Sequence, residues 1–230
     1  KWNCSSDLLT TLVSCEKYNS VKIWSFSNNH WYLKQEIRFS NHDRVQLMWY
    51  PTKPLQLICW TSSGQLSIYN FIWITAVMEN SVALVIDGSN ILVTPLSISL
   101  IPPPMFSFKL IFPSAIREMA FYSSTSKNLL AALLSDGSFC ITELPELLLW
   151  EDLEGEVFVI EASDSDTSFS SLLHLQWLDS HILLGASHFG FHQKKEHMGY
   201  HLTEIEVSCS ENHVPDSVTS SGWNVKDKSP

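Results

Sequence analysis

The feature that most constrains the fold is a long uncharged stretch, VIDGSNILVTPLSISLIPPPMFSFKLIF, which runs from Val85 to Phe112. Within it, 21 consecutive residues carry no formal charge, a length that would span a bilayer as a helix. Pro95 and the triplet Pro102–Pro104 argue against that helix, because each proline lacks a backbone donor and clashes with the preceding turn. The stretch therefore predicts short strands, one of them ending near Leu100, that are joined by an extended proline connector.

A second uncharged stretch, from Pro54 to Met78, shows the alternation of a β-hairpin. Before the small turn Ser62–Gly64, the side chains of Leu55, Leu57 and Cys59 occupy alternate positions, and the same period of two continues after the turn. This period is typical of paired strands and not of a transmembrane helix. The N-terminal residues also lack the basic and apolar segments of a secretory leader, so no signal peptide is expected.

Composition indicates the environment and excludes some partners. The apolar content of 45% is sufficient for a core, and the net charge of −10 argues against direct binding of nucleic acid. The cysteines form no CxxC pair and are odd in number, which favours reduced thiols in an intracellular protein. They are Cys4, Cys15, Cys59, Cys140 and Cys209.

The charge is unevenly distributed along the chain. Glu143 to Asp166 contains nine acidic residues and neither lysine nor arginine. Such a block is typical of a solvated loop or sheet edge, and docking of a basic partner is the alternative.

An internal repeat organises the remaining pattern. Segments 45–71 and 116–144 each read as an aromatic strand, a short strand that ends at small residues and glycine, and another alternating strand. Trp49 corresponds to Phe121 and Gly64 to Gly137, so the interval from aromatic residue to glycine is 15 and 16 residues, respectively. A third copy of the repeat begins near Trp177. The residues near the start of the chain match only the second and third strands of the repeat.

These repeats are typical of β-propeller blades, which bury their faces only against neighbouring blades. The strands suffice for about three to four blades, whereas closed propellers have roughly four to eight. The sequence therefore predicts an all-β fold, an incomplete WD-repeat-like β-propeller over residues 1–208. Residues 209–230 are predicted to be a polar tail or loop insert that is disordered.

A histidine-rich segment is the strongest candidate for metal chemistry. Six of the nine histidines lie between His174 and His201. His188 and His192, and then His197 and His201, are spaced so that each pair could chelate a metal ion from one face of a helix. The segment contains glycines and lacks an HExxH frame, so a polar hairpin loop is favoured over a metal site.

Other motifs give weaker signals. Ser187 lies in a sequence that imitates a nucleophile elbow, but the second glycine comes one position too late. The carboxylates of Glu151 and Asp152 have no apolar surroundings that would raise one pKa. The proline triplet with Met105 could bind an aromatic groove, although a rigid connector fits its position better. No catalytic, cofactor-binding or metal-binding residue is assigned, and the chain is predicted not to be an enzyme.

Several short segments of the sequence resemble a known family. They are NNHWYLKQE from Asn28 to Glu36, LMWYP from Leu47 to Pro51, and VIDGSNILVTPL followed by IPPPMFSFKLIFP from Val85 to Pro113. Together they are similar to the N-terminal WD-repeat region of the largest Elongator subunit, the IKAP family. The likeness covers mainly Val21 to Phe121.

The resemblance implies a scaffold role and not catalysis. In that family two tandem propellers precede helical repeats, and the complex modifies the wobble uridine of tRNA while another subunit performs the chemistry. It implies partners among the other Elongator subunits, contact with tRNA only through the complex, and no membrane association. It also implies homodimerisation through a C-terminal region not contained in these residues, and a cytoplasmic location with the nucleus as a second compartment. A metal-dependent hydrolase that uses the His188–His201 cluster is the rival hypothesis.

Overall fold

The described part of the chain consists of strands and their connections, with one 3-10 turn at Leu147–Glu151. The computed structural model describes residues 1–73, 82–124, 127–165, 169, 171–188, 200–210 and 217–228. The strands are β1 Leu8–Ser14, β2 Tyr18–Ser27, β3 His30–Ser40, β4 Val45–Trp49, β5 Gln56–Thr61, β6 Leu66–Asn70, β7 Val82–Asp87, β8 Asn90–Pro95, β9 Phe108–Ile111, β10 Ile116–Ser123, β11 Asn128–Leu134, β12 Phe139–Leu144, β13 Val157–Val159, β14 Asp164–Ser165, β15 Leu172–Trp177, β16 Ile182–His188, β17 Tyr200–Cys209 and β18 Trp223–Asp227.

The strands form five open sheets. Sheet I has the order β1-β2-β3, sheet II β4-β5-β6, sheet III β7-β8-β9-β13, sheet IV β10-β11-β12, and sheet V β15-β16-β17-β18-β14. Most of the pairs are antiparallel hairpin neighbours, whereas β13 and β14 pair in parallel with β9 and β18. No sheet formed by the described residues closes on itself, so the predicted all-β, incomplete propeller is confirmed.

Three apolar clusters hold the sheets face to face. Sheets I and II share one core, in which Val21 and Ile23 pack with Trp49 and Leu57. Sheet III packs on one face of sheet IV around Phe108, and sheet V packs on the opposite face of sheet IV. Because both faces of sheet IV are covered, every residue of β11 is buried. This stacking is the packing that the blade-like repeat predicts.

The uncharged stretch folds as strands, with one shift from the expected boundaries. β7 and β8 form a hairpin around Gly88, whose φ of +65° is the left-handed conformation that the turn requires. β8 ends at Pro95 and not near Leu100, because the proline cannot continue the ladder as a donor. The proline triplet lies in the connection from β8 to β9, as the sequence predicts.

The sequence repeat does not include the strands of sheet III. Its second strand, β8, ends at Pro95. Its fourth strand, β13, begins at Val157, which is 46 residues after β9 ends at Ile111. Its strands therefore lack the common spacing of the repeat copies, and five sheets form where the repeat supplied three to four.

The expected polar tail is partly a strand. Trp223 and Val225 of β18 are buried, and β18 pairs antiparallel with β17 from Cys209 opposite Trp223 to Ile205 opposite Asp227. The disordered tail predicted for residues 209–230 therefore differs from the structure at β18. The alternation of Trp223 and Val225 with polar residues was the signal of a half-buried strand, and the surrounding polar composition obscured it. No helix in the described residues is long and apolar enough to cross a membrane.

Candidate functional site: the junction between sheets I, III and IV

The hairpin end of β3 is fastened to the turn between β7 and β8. The backbone N–H of Leu33 donates to Asp87 Oδ1 at 2.9 Å, and Gly88 N–H donates to the Leu33 carbonyl at 2.7 Å. His30 Nε2 lies 2.9 Å from Asp87 Oδ2. A Cβ on Gly88 would lie 3.1 Å from Leu33 Cδ2, so glycine permits this close approach. Sheets I and III are therefore joined by backbone and side-chain hydrogen bonds.

A charged cluster joins the other half of β3 to sheet IV. Glu36 is only 5% exposed and accepts hydrogen bonds from Ser135 Oγ at 3.0 Å and Arg38 Nη2 at 3.3 Å. Arg38 also donates to Ser114 Oγ at 2.6 Å and lies 3.8 Å from Asp136 Oδ2. A buried carboxylate requires such partners, because an unpaired one would be strongly destabilising. The cluster gives the junction a fixed geometry.

The pKa of Asp136 is consistent with its part in this cluster. Burial opposes ionisation of the carboxyl, but hydrogen bonds from Ser138, together with the Arg38 guanidinium, outweigh it and lower the pKa. Asp136 is therefore ionised at neutral pH and attracts Arg38 across the boundary between the sheets.

A cavity of about 520 Å³ lies beside the junction. Lys34, Gln35, Arg117 and Glu118 are its charged and amide residues, and the rest of its wall is mainly apolar. Burial raises the pKa of Glu118 to about 7, and the Arg117 charge opposes that rise. The Glu118 residue is 8% exposed.

The other polar groups of the cavity hydrogen-bond the backbone of neighbouring strands. Lys34 Nζ donates to the Ile86 carbonyl at 2.9 Å, and burial lowers its pKa against the attraction of Asp87. Gln35 Nε2 donates to the Arg117 carbonyl at 2.8 Å, and the Arg117 guanidinium donates to the Leu172 carbonyl. These contacts connect sheets I, III, IV and V, so they favour a structural role for the polar groups.

The predicted metal-binding histidines do not lie on a helix where the structure describes them. His188 is the last residue of β16 and pairs with Tyr200, while His201 in β17 pairs with Ser187. His192 and His197 lie outside the described residues. Among the described residues, no group of three histidine, cysteine or carboxylate side chains could hold a metal ion. β16 and β17, which flank the segment, pair antiparallel, and the polar loop that the sequence favours between them lies outside the described residues. The rival hydrolase hypothesis gains no support.

Gly185 to His188, the first four residues of the sequence that imitates a nucleophile elbow, lie in β16, and Phe189 and Gly190 lie outside the described residues. Ser187 lies within β16 and pairs with Leu172 on one side and His201 on the other. Gly185 allows close packing, since a Cβ there would lie 2.8 Å from both terminal methyl groups of Leu172. The glycine thus serves the packing of β15 against β16, which is a sufficient reason for its presence.

The remaining predicted sites do not line the cavity. Glu151 ends the 3-10 turn, and Asp152 follows it with an exposed side chain. The carbonyl of Pro103 accepts a hydrogen bond from Asn28 Nδ2 at 3.0 Å, so the proline triplet meets the tip of the β2–β3 hairpin, and Met105 is exposed.

The five cysteines are free thiols, as expected for reduced cysteines. Burial raises the pKa of Cys59 to about 11, and burial followed by the Asp136 charge raises that of Cys140 to about 12. These two thiols therefore stay protonated and are poor nucleophiles at neutral pH.

Sequence reasoning did not find the junction. Glu36 and Ser135 are 99 residues apart, and no local motif links them. The alternation of β3 puts the apolar side chains of Ile37 and Phe39 on one face and Glu36 and Arg38 on the opposite, polar face, so the local pattern gave no signal that Glu36 is buried.

Comparisons with known proteins give the two halves of the junction a family context. Residues 85–226 match the ELP1 N-terminal second β-propeller, and residues 1–52 match the ELP1 first N-terminal β-propeller. Glu36 and Arg38 fall in the first match, whereas Ser114, Ser135 and Asp136 fall in the second. The junction therefore joins segments that resemble two different propellers.

Curated relatives agree with these matches. The chain is 55% identical to Elongator complex protein 1 of Arabidopsis thaliana over 97% of its own length, but it spans only 18% of that relative. It is 30% identical to the Saccharomyces cerevisiae protein over 59% of the chain and 29% identical to the Mus musculus protein over 56%, spanning 10% and 11% of these relatives. With one propeller family matching well over half of its residues, the chain belongs to the Elongator complex protein 1 family.

Proposed function

We propose that this chain is a non-catalytic protein-interaction module of an Elongator scaffold subunit. The observation that carries the proposal is the succession of first- and second-propeller matches in one chain, joined by the buried Glu36–Arg38 cluster. Propeller sheets provide rigid rims and faces for protein contacts. A fixed joint between two such units holds their surfaces in a constant relation, which is what a scaffold requires.

The chemistry of the polar groups supports a role without catalysis. The Glu36 carboxylate binds the Arg38 guanidinium and the Ser135 hydroxyl, and the Gln35 amide binds the Arg117 carbonyl across the sheet boundary. The buried thiols of Cys59 and Cys140 have raised pKa values. A catalytic group needs a pKa suited to its task and access to substrate. The groups named here serve packing instead.

The role in tRNA modification is indirect in this proposal. The partners are other Elongator subunits, and tRNA is reached only through the assembled complex, since a chain with a net charge of −10 repels phosphate. The full-length protein acts in the cytoplasm, with the nucleus as a second compartment. It dimerises through a C-terminal region outside these residues. Its loss then lowers modification of the wobble uridine in tRNA.

The test uses the full-length protein in cells from which its gene has been deleted. Tagged wild-type protein should co-purify with the other Elongator subunits and restore carboxymethyl-type modification of wobble uridine, measured by mass spectrometry of tRNA nucleosides. Wild-type modification levels in the deletion strain, with no second gene copy, would contradict the family role.

A matched pair of variants tests the contribution of this chain. Leu57→Asp places a charge in the buried core of sheets I and II, whereas Leu100→Asp places the same charge at a position that is 87% exposed. We expect the first variant to lose subunit co-purification at equal expression and the second to retain it. Full co-purification with Leu57→Asp would contradict a scaffold role for these sheets.

A further inference from the structure

β13 is a fixed outer strand of sheet III. It pairs only with β9 among the described residues, in the parallel register Val157–Lys109, Phe158–Leu110 and Val159–Ile111. Phe158 turns inward, where its ring lies 6.1 Å from that of Phe108. The buried Trp150 packs against the same Phe108 ring at 5.2 Å. The strand is thus held in place before any partner arrives.

Among the described parts of the chain, the hydrogen-bond pattern leaves the other edge of β13 open. Lys109 N–H donates to the Glu156 carbonyl at 3.1 Å, and Ile160 N–H donates to the Ile111 carbonyl at 2.8 Å. In a parallel ladder the residues that bond the neighbouring strand alternate with residues whose backbone groups point away. The N–H and C=O groups of Val157 and Val159 therefore point outward. An open edge of this kind is a template for a further strand.

The side chains on this edge are apolar and accessible. Val157 is 46% exposed and Val159 is 72% exposed. Natural edge strands are commonly protected by lysine, proline or a bulge, and β-branched residues instead favour strand pairing. The edge is short, so an added segment would pair over about three to five residues by the geometry of strand addition.

The surrounding charge specifies the kind of segment. Exposed carboxylates precede the strand at Glu151, Asp152, Glu154 and Glu156, and follow it at Glu161 and Asp164. Lys109, opposite Val157, is the cation on the neighbouring strand, and its Nζ lies 5.6 Å above the Phe106 ring. The excess of negative charge attracts lysine and arginine and repels nucleic acid and acidic peptides.

We propose that β13 is a docking edge at which an extended segment of a partner protein, with lysine or arginine alternating with aliphatic residues, adds as a further strand. Main-chain hydrogen bonds to Val157 and Val159 give affinity, and the flanking carboxylates give selectivity for basic residues. The inference rests on the proposed role as an interaction module. Its test uses no Elongator subunit, so the two proposals fail separately.

The test measures binding of a fluorescein-labelled nine-residue peptide of alternating lysine and valine to the 230-residue chain by fluorescence anisotropy. The wild-type chain should bind the peptide, and binding should weaken as salt is raised from 50 to 300 mM. A peptide with glutamate in place of lysine should not bind. Equal binding of both peptides, or no binding of the lysine peptide at high micromolar concentration, would overturn the proposal.

Val159→Pro removes one outward N–H without taking a donor from the β9 ladder. We expect it to weaken binding at least ten-fold while leaving the unfolding midpoint unchanged. Ile68→Pro is the matched control. Ile68 lies on β6, the outer strand of sheet II, and its pair with Ile58 exchanges no backbone hydrogen bonds, so its N–H also points outward. No acidic residue lies in β6. It should bind the peptide like the wild type. Equal loss in both variants would show non-specific edge pairing and overturn the proposal.

The paired substitution Glu154→Gln and Glu156→Gln tests the charge contribution separately. Binding at 50 mM salt should fall several-fold, and the dependence on salt should become shallower. Unchanged affinity and salt dependence would contradict selectivity for a basic partner. If Val159→Pro instead abolishes self-association of the chain and leaves peptide binding intact, a second copy is the occupant and the proposal is wrong.

Discussion

Trp49 and Phe121 hold corresponding positions in the repeat but not corresponding environments. Trp49 is buried between sheets I and II, and its Nε1 donates to the Lys1 carbonyl at 3.3 Å. Phe121 is half-buried and lines the junction cavity. We expect Trp49→Ala to lower the free energy of unfolding by about 3–5 kcal/mol, and Phe121→Ala by roughly 1–3 kcal/mol, in urea titrations. A larger loss at Phe121 than at Trp49 would contradict this order of burial.

Glu118 gives the chain a pH dependence whose sign follows from its raised pKa. Its pKa of about 7 exceeds the ordinary value of 4.5, so the folded state holds a proton that the unfolded state releases. The contribution of Glu118 to stability therefore falls as pH rises from about 4.5 through 7 and is constant above that range.

Glu118→Gln removes this dependence, because glutamine carries no titrating proton. The gain in unfolding free energy over the wild type should be larger at pH 8 than at pH 5, by roughly 1–3 kcal/mol. Urea unfolding of both proteins at the two pH values checks it. Parallel pH profiles would show that the carboxyl is solvated and not buried against the cavity wall.

At the scale of single elements, the packing of β15 against β16 depends on Gly185. An alanine Cβ there would meet both Leu172 methyl groups at 2.8 Å, so Gly185→Ala should destabilise the chain by about 1–3 kcal/mol. In a Leu172→Ala background the space opens, and the cost should fall by at least about 1 kcal/mol in a double-mutant cycle.

Gly64→Ala is the control for this cycle. Nothing lies within 4 Å of a Cβ at Gly64, so its cost comes only from a φ of +90° and should not change with Leu172→Ala. If both glycine substitutions respond equally to Leu172→Ala, direct packing of Gly185 is not the cause.

Sequence patterns predicted those elements whose signal is local. The turns at Gly64 and Gly137 both have positive φ values, near +90°, and each joins the second and third strands of its sheet, as the repeat requires. Trp49 pairs with Leu57, eight residues later, whereas Phe121 pairs with Leu130, nine residues later. The one extra residue in the second aromatic-to-glycine interval therefore lies between the first aromatic residue and its partner on the second strand. Residue pairing fixed by side-chain period and turn chemistry is readable from sequence.

Structure that depends on distant partners could not be predicted in this way. β13 joins sheet III after an excursion that includes all of sheet IV, so no hairpin signal announces it. The Glu36–Ser135 contact likewise forms only when two sheets from separate repeats meet. Such contacts depend on how the sheets are arranged in space, and no local sequence pattern specifies that arrangement.

For the whole molecule, the open sheet faces determine behaviour in solution. On the outer face of sheet II, Leu66 and Ile68 are 64% and 55% exposed, and Ile68 pairs with Ile58, which pairs with Met48. Such a face is normally buried by a neighbouring blade, so the isolated 230-residue chain should self-associate despite its charge of −10.

Leu66→Glu combined with Ile68→Lys should therefore raise the monomer fraction, because both charges lie on the associating face. Leu100→Glu adds a charge at a more exposed residue, between β8 and β9, and should leave the fraction unchanged. Light scattering coupled to size-exclusion chromatography measures all three proteins at equal concentration. A wild-type chain that is already a monodisperse monomer with one cooperative melt would mean that these faces are covered within the chain itself. An equal gain from Leu100→Glu would assign the effect to net charge and not to the open face of sheet II.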